Sequence, residues 1–322
     1  MSDYVEKDQQ DQLDSQSELD DQDQQDMEYW REDIASIRSD SIHGSIYLSN
    51  KALDIVEDFV RKQLYKNRTE LIQALSKLSN ALVRAKPLMA LIYNRTRQIL
   101  NFIQNIPKEQ KDIEIIRDAT LEEITRLRQK SGENVGVITR WGCRLILDHH
   151  VILTHSASSV VESILMEARQ QKKRFRLICT ESRPLMEGTG MAMRLAKAGI
   201  KVRLIPDCDI ARAVEDCHFV LTGTDRFTET SFINKTGTHA IATLAHVMNK
   251  PLYVAGESDK VLLKRTYPVR FAQNDPLELV DQEADNLQVE NMYFEESPLS
   301  YAGKIILEDG VFELKEFIDR YL

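Results

Sequence analysis

From about residue 45 the chain repeats apolar positions at intervals of three and four. Leu53, Val56, Phe59 and Val60 mark one amphipathic helix. Asn67 followed by Glu70 has the spacing of a capping box, and Leu71, Leu75, Leu78 and Leu82 follow it on one face. Pro87 suits the first turn of a third helix running through Leu88, Leu91, Ile92 and Ile99. The same period continues over 112–130 and 134–147, and Gly132 is expected to break the two apart.

After residue 150 the pattern changes. Short apolar runs predict strands at Val151–Thr154, Arg176–Thr180, Val202–Ile205, Phe219–Thr222 and Leu252–Ala255. Helical segments fall between them, near 158–170, 187–198, 209–217 and 238–248. Strands alternating with helices imply a parallel sheet covered on both faces. The expected fold class is therefore α/β, with a helical N-terminal domain over 31–147 and a Rossmann-like domain over 148–322. In such sheets, ligands collect at the carboxyl ends of the strands, near a topological switch point. Those ends carry His155-Ser156, Glu181-Ser182-Arg183, Asp207, Gly223-Thr224-Asp225 and Gly256-Glu257.

Charge changes the picture only at one end. The 322 residues carry 42 Lys+Arg and 51 Asp+Glu, a net charge of -9. Residues 1–26 hold ten acids and only Lys7 as a base, leaving 41 of each sign in the remainder. This Asp/Gln/Ser-rich stretch lacks the apolar surface needed to offset ordering entropy, so residues 1–30 are read as a disordered acidic tail. With a neutral body, direct nucleic-acid binding is not expected. No apolar run is long enough to span a bilayer, and MSDYVEKDQQ lacks the apolar core of a signal peptide, so a cytoplasmic protein is expected. The cysteines, Cys143, Cys179, Cys208 and Cys217, form no CxxC pair. They read as reduced thiols, with no metal site.

Several motifs have two readings. Gly188-Thr189-Gly190 begins a dinucleotide fingerprint, but Met193 replaces its third glycine. No nicotinamide, flavin or other cofactor is therefore expected, and a backbone approach to phosphate at this helix start is favoured. Ser156, Ser158 and Ser159 either cap the following helix or aim hydroxyls and amides at a ligand. His149 and His150 read as surface residues, whereas His155 ends a strand beside Ser156. Lys172-Lys173-Arg174-Phe175-Arg176 reads as a cationic helix end.

In order along the chain come ILTHSASSVV (152–161), TESRP (180–184), LAKAGIKVRLIPD (195–207) and GTDRFTETSFINKTGTHAIATLAH (223–246). PLYVAGESDK (251–260) and NMYFEESPLSYAGKIILEDG (291–310) complete the series. This combination resembles the translation initiation factor 2B alpha/beta/delta family, which includes methylthioribose-1-phosphate and ribose-1,5-bisphosphate isomerases. The resemblance implies a regulatory or assembly protein in translation initiation, with a pocket for a phosphorylated sugar or nucleotide between the two domains. It implies a homodimer or hetero-oligomer built through the C-terminal domain. Other subunits of the same type, or initiation factor 2, are the implied protein partners.

The isomerase members are similar in using a cysteine and an aspartate. The aspartate is matched by Asp225, and a following Asn-Lys pair by Asn234-Lys235. The cysteine position is Ser156. An Arg-Gly-Ala phosphate loop aligns with His43-Gly44-Ser45, and a phosphate-holding Arg-Pro with Lys86-Pro87. A glutamine after Thr-Arg-Pro becomes Glu187, behind Arg183-Pro184. A serine hydroxyl is a far weaker acid than a thiol and needs an adjacent base. Lys86 offers a point charge in place of a bidentate fork. These substitutions preserve ligand binding by Arg183, Lys235 and Lys86 better than they preserve catalysis. The alternative is an aldose–ketose sugar-phosphate isomerase, with Asp225 as general acid/base and Ser156 in the cysteine's place.

Overall fold

The computed structural model describes residues 30–62, 65–282 and 284–322. The acidic tail expected over 1–30 lies outside these residues except for Trp30, which is buried against Phe59 and donates its indole N–H to Asp58 at 2.9 Å. The chain forms two compact units. One takes the described residues through Asp40, with Asn50–Lys86 and Thr96–Ile124. The other takes Ser41–Ser49, Pro87–Arg95 and Thr125–Leu322.

The helical region comprises α1 (Arg31–Ser39), α2 (Ser45–Lys62), α3 (Arg68–Ala85), α4 (Ala90–Asn105) and α5 (Ile113–Leu145). In the first unit, Leu53, Val56 and Phe59 of α2 are buried, as are Leu71, Leu75, Leu78 and Leu82 of α3. They are the residues whose spacing marked the helices. Asn67 accepts the amide of Glu70 at 3.0 Å, capping α3. The Glu70 carboxylate reaches back to the amide of Lys66 at 2.8 Å, one residue beyond the usual box. Pro87 lies in a turn before α4, not within its first turn.

Gly132 does not break α5, which is continuous over 33 residues. A glycine inside a helix costs only about 1 kcal/mol relative to alanine. Its neighbour Ser131 is held by buried polar contacts, described below. The Lys172–Arg176 cluster does serve a helix end, but that of α5. Lys173 Nζ donates to the carbonyls of Cys143 and Ile146, at 2.6 and 2.8 Å.

The second unit is built on β1 (Val151–Thr154), β2 (Arg176–Thr180), β3 (Lys201–Ile205) and β4 (Phe219–Gly223). It adds β5 (Arg226–Phe227), β6 (Ser231–Lys235), β7 (Leu252–Ala255), β8 (Phe294–Pro298), β9 (Lys304–Leu307) and β10 (Gly310–Phe312). The main sheet has the order β10-β9-β7-β4-β1-β2-β3. All its pairings are parallel except β9–β10. Helices α6 (Ser159–Gln170), α7 (Glu187–Lys197), α8 (Ile210–Asp216), α9 (Thr238–Val247) and α10 (Leu314–Tyr321) accompany it. One apolar cluster joins Ile152, Leu177 and Leu221 to Ile164 and Leu195; another joins Leu153, Ile178 and Val220 to Val214 and Ile241. Alternate residues of each strand enter opposite clusters, so both faces of the sheet are covered.

A second sheet, β5-β6-β8, is antiparallel. Strand order reverses between β1 and β4, which are paired neighbours. The turns after β1 and β4 are therefore adjacent at the carboxyl edge. The fit is close: a side chain on Gly223 would meet Ser158 Oγ at 2.5 Å.

Candidate functional site

The turn after β1 places Ser156 in a left-handed backbone conformation, φ 65°. Its amide donates to Ser182 Oγ at 2.8 Å. Ser182 Oγ is 3.1 Å from Thr180 Oγ1, which is 2.6 Å from His155 Nδ1. His155 Nε2 is 2.8 Å from the Thr236 carbonyl. A carbonyl only accepts, so Nε2 carries the proton and Nδ1 accepts. Every proton in the series then points one way, from the Ser156 amide through two hydroxyls to the imidazole and on to Thr236.

Burial pushes the His155 imidazole below its ordinary 6.5, opposed by the bond to Thr236. The ring is 3% exposed and both its nitrogens are committed. Despite its position beside Ser156, His155 is not placed to take a proton from the serine hydroxyl. Gly237, at φ 107°, lets the backbone pass the ring, where a Cβ would sit 2.9 Å from Nε2.

Ser156 Oγ instead donates to Glu187 Oε1 at 3.0 Å. Lys235 Nζ lies 3.0 Å from the same oxygen, with side chains 4% and 11% exposed for Lys235 and Glu187. The ammonium is at ion-pair distance but off hydrogen-bonding angles, and Glu187 Oε2 has no hydrogen-bond partner among the described residues. Lys235 also faces the ring of Tyr293 at 5.0 Å. Asn234 is turned inward, donating to Thr222 Oγ1 and Thr238 Oγ1 at 2.9 Å each.

Asp225 is half-buried beyond β4, held by its amide's bond to the Ile233 carbonyl at 2.9 Å. Its carboxylate makes no hydrogen bond among the described residues. Fully buried Lys260 donates to the neighbouring Thr224 carbonyl at 2.5 Å. Burial pushes the Lys260 ammonium down, while Asp225 and Glu257 hold it up. Arg226 is structural: its guanidinium gathers the carbonyls of Leu262, Leu263 and Tyr267.

Carboxylates occupy other donors at this edge. Asp207 accepts the amides of Ser182 and Arg183, at 2.8 and 2.7 Å. Glu295 accepts those of Gly237 and His239, both at 2.7 Å, at the start of α9. The Arg183 side chain is exposed and makes no ion pair among the described residues. Gly188 is required by packing, because a Cβ there would overlap the Thr180 carbonyl. Ser158 caps α6, accepting the Val161 amide.

Of the remaining candidates, His43 is exposed and stacked on Tyr47, with ring centroids 4.0 Å apart. Gly44 is exposed, and Ser45 begins α2 with its side chain buried. Lys86 caps the end of α3 and belongs to the first unit.

A buried cluster not anticipated from sequence underlies Lys260. Arg95 Nη2 lies 3.3 Å from Glu257 Oε1, and Arg95 donates to Ser49 Oγ and Ser131 Oγ at 2.5 Å each. Ser131 donates onward to Glu257 at 3.0 Å. Burial raises the Glu257 carboxyl against the opposing pull of Arg95 and Lys260. The available signal was Arg95 itself, a charge standing on the apolar stripe of Leu91, Ile92 and Ile99.

A sequence profile of the initiation factor 2 subunit family matches residues 41–314. The chain is 29% identical over 279 residues to an eIF-2B subunit 2-like translation initiation factor of Pyrococcus horikoshii, covering 86% of this chain and 94% of that one. It is 25% identical over 292 residues to a ribose 1,5-bisphosphate isomerase of Methanocaldococcus jannaschii, covering 89% and 92%. Among solved structures, a translation initiation factor eIF-2B of P. horikoshii OT3 superposes with a TM-score of 0.75 at 26% identity, covering 89% of this chain and 98% of that one. Factor-like and isomerase-like proteins thus both stand among its relatives, and the chain belongs to the initiation factor 2 subunit family.

Proposed function

We propose that the chain is a non-catalytic, initiation factor 2B-like regulatory or assembly subunit. It binds a phosphorylated sugar or nucleotide at the carboxyl edge of the parallel sheet. The observation carrying this reading is the partner of the Ser156 hydroxyl. That partner is a carboxylate already paired with Lys235, while the neighbouring imidazole is committed elsewhere. A serine so placed has a hydrogen bond but no strong base. Arg183 supplies an exposed cation for a phosphate at the rim. The protein works in the cytoplasm as a homodimer or with related subunits, joined through the α/β domain, and contacts initiation factor 2. The resemblance in sequence supports these partners.

A thermal-shift screen of sugar phosphates and nucleotides tests the pocket. The expected result is a raised melting temperature with at least one of them, abolished in Arg183→Ala. No shift with any ligand would refute binding. Turnover of ribose 1,5-bisphosphate or methylthioribose 1-phosphate, lost in Asp225→Asn, would refute the non-catalytic reading. It would establish the second one, an aldose–ketose isomerase. That second reading rests on the half-buried Asp225 carboxylate, which has no hydrogen-bond partner among the described residues and interacts with the charge of buried Lys260.

A further inference from the structure

We propose that Glu187 makes the inner end of this pocket selective for an uncharged, hydroxyl-bearing group and excludes a phosphate from Lys235. The inference rests on the ligand-binding reading above and specifies which part of the ligand enters. Lys235 is the buried cation beside Ser156, and its charge is already balanced by Glu187 at 3.0 Å. A phosphate arriving there would meet a carboxylate as well as an ammonium, in surroundings that screen charge poorly. The same arrangement recurs along this edge. Asp207 fills the amides of Ser182 and Arg183, and Glu295 fills those of Gly237 and His239. Amides of this kind are ready anion sites when vacant. Here internal carboxylates hold them.

Two neighbouring buried atoms lack a hydrogen bond among the described residues, and they have opposite needs. Glu187 Oε2 needs a donor, and Lys235 Nζ needs an acceptor in line with its N–H bonds. A hydroxyl satisfies both, donating to the carboxylate while accepting from the ammonium. Phosphate oxygens can serve only Lys235. The ligand class is therefore a sugar phosphate with a free hydroxyl end, bound hydroxyl-first, with its phosphate outward toward Arg183.

The test is calorimetric titration of the full chain and of Glu187→Gln with ribose 5-phosphate, ribose 1,5-bisphosphate and inorganic phosphate. The wild type should bind ribose 5-phosphate at least tenfold more tightly than the bisphosphate. Glu187→Gln should narrow that ratio at least tenfold by gaining affinity for the bisphosphate. An unchanged ratio in the variant, or equal wild-type affinities, overturns this inference and leaves the ligand-binding reading standing. Phosphate binding gained by the variant, with no sugar phosphate bound by the wild type, does the reverse. No binding by either protein overturns both. Should Glu187→Gln fail to fold, Glu187→Ala carries the same expectation, because it too removes the charge.

Discussion

Arg95 and Glu257 form an ion pair 162 residues apart in sequence, with side chains 1% and 0% exposed. Removing one partner from such a pair strands the other charge in low dielectric, at a cost of about 3–5 kcal/mol. Arg95→Met should therefore lower the midpoint of urea unfolding sharply. Arg95→Met combined with Glu257→Leu should recover a substantial part of the loss, because both charges of the pair are removed together and Lys260 keeps Asp225. A double variant as unstable as the single one would show that the bonds to Ser49 and Ser131 dominate.

His155 predicts a pH dependence of stability. Its folded-state value is held below 6.5, so as pH falls through 6.5 the unfolded chain takes up a proton that the native chain refuses. Stability is thus fully present above about pH 6.5 and falls below it, by at most about 1.4 kcal/mol per pH unit for one such group. Half-buried His150 is depressed in the same direction and adds a smaller part to the slope. Unfolding midpoints between pH 5.5 and 7.5 should show this fall, and His155→Gln should flatten it.

Gly188→Ala should destabilise the protein by about 2–3 kcal/mol. The new Cβ meets the Thr180 carbonyl and Ser182 Oγ, so the start of α7 must move. Denaturant melts measure the loss. Gly132→Ala is the matching control: nothing lies within 4 Å of its Cβ, and the substitution should stabilise α5 by up to about 1 kcal/mol.

Ser156→Cys should yield a sluggish thiol. The Glu187 carboxylate that now accepts the hydroxyl disfavours a neighbouring thiolate. Alkylation by iodoacetamide at pH 7.5 should be slow at this position. It should quicken several-fold in Ser156→Cys/Glu187→Gln, with mass spectrometry locating the adduct.

The parallel sheet was legible because its strands are short apolar runs between polar turns. Each expected strand lies within a residue of the observed one, as with Val151–Thr154 and Leu252–Ala255. The antiparallel sheet was not legible. Arg226–Phe227 is only two residues long, and Phe294–Pro298 includes two glutamates. Its register comes from tertiary pairing with β6, which leaves no local period. At the site, Ser156, Glu187 and Lys235 could be selected by position along the chain. That they meet at one carboxylate oxygen could not be, because the turn after β1, the start of α7 and the end of β6 deliver them separately. The Arg95–Glu257 pair was missed for the same reason.

The one-way series of hydrogen bonds behind Ser156 has a consequence for the kinds of chemistry this turn could acquire. The residue's own amide is spent inward on Ser182, so it cannot also cradle negative charge building on an oxygen in the recess. A serine displayed on a sharp strand-to-helix turn superficially suits acyl transfer. Here the turn offers an incoming molecule the residue's hydroxyl but withholds its amide. A hydrolase made from this scaffold would have to take its oxyanion donors from elsewhere, because Ser182 holds this amide and also orients Thr180 toward His155.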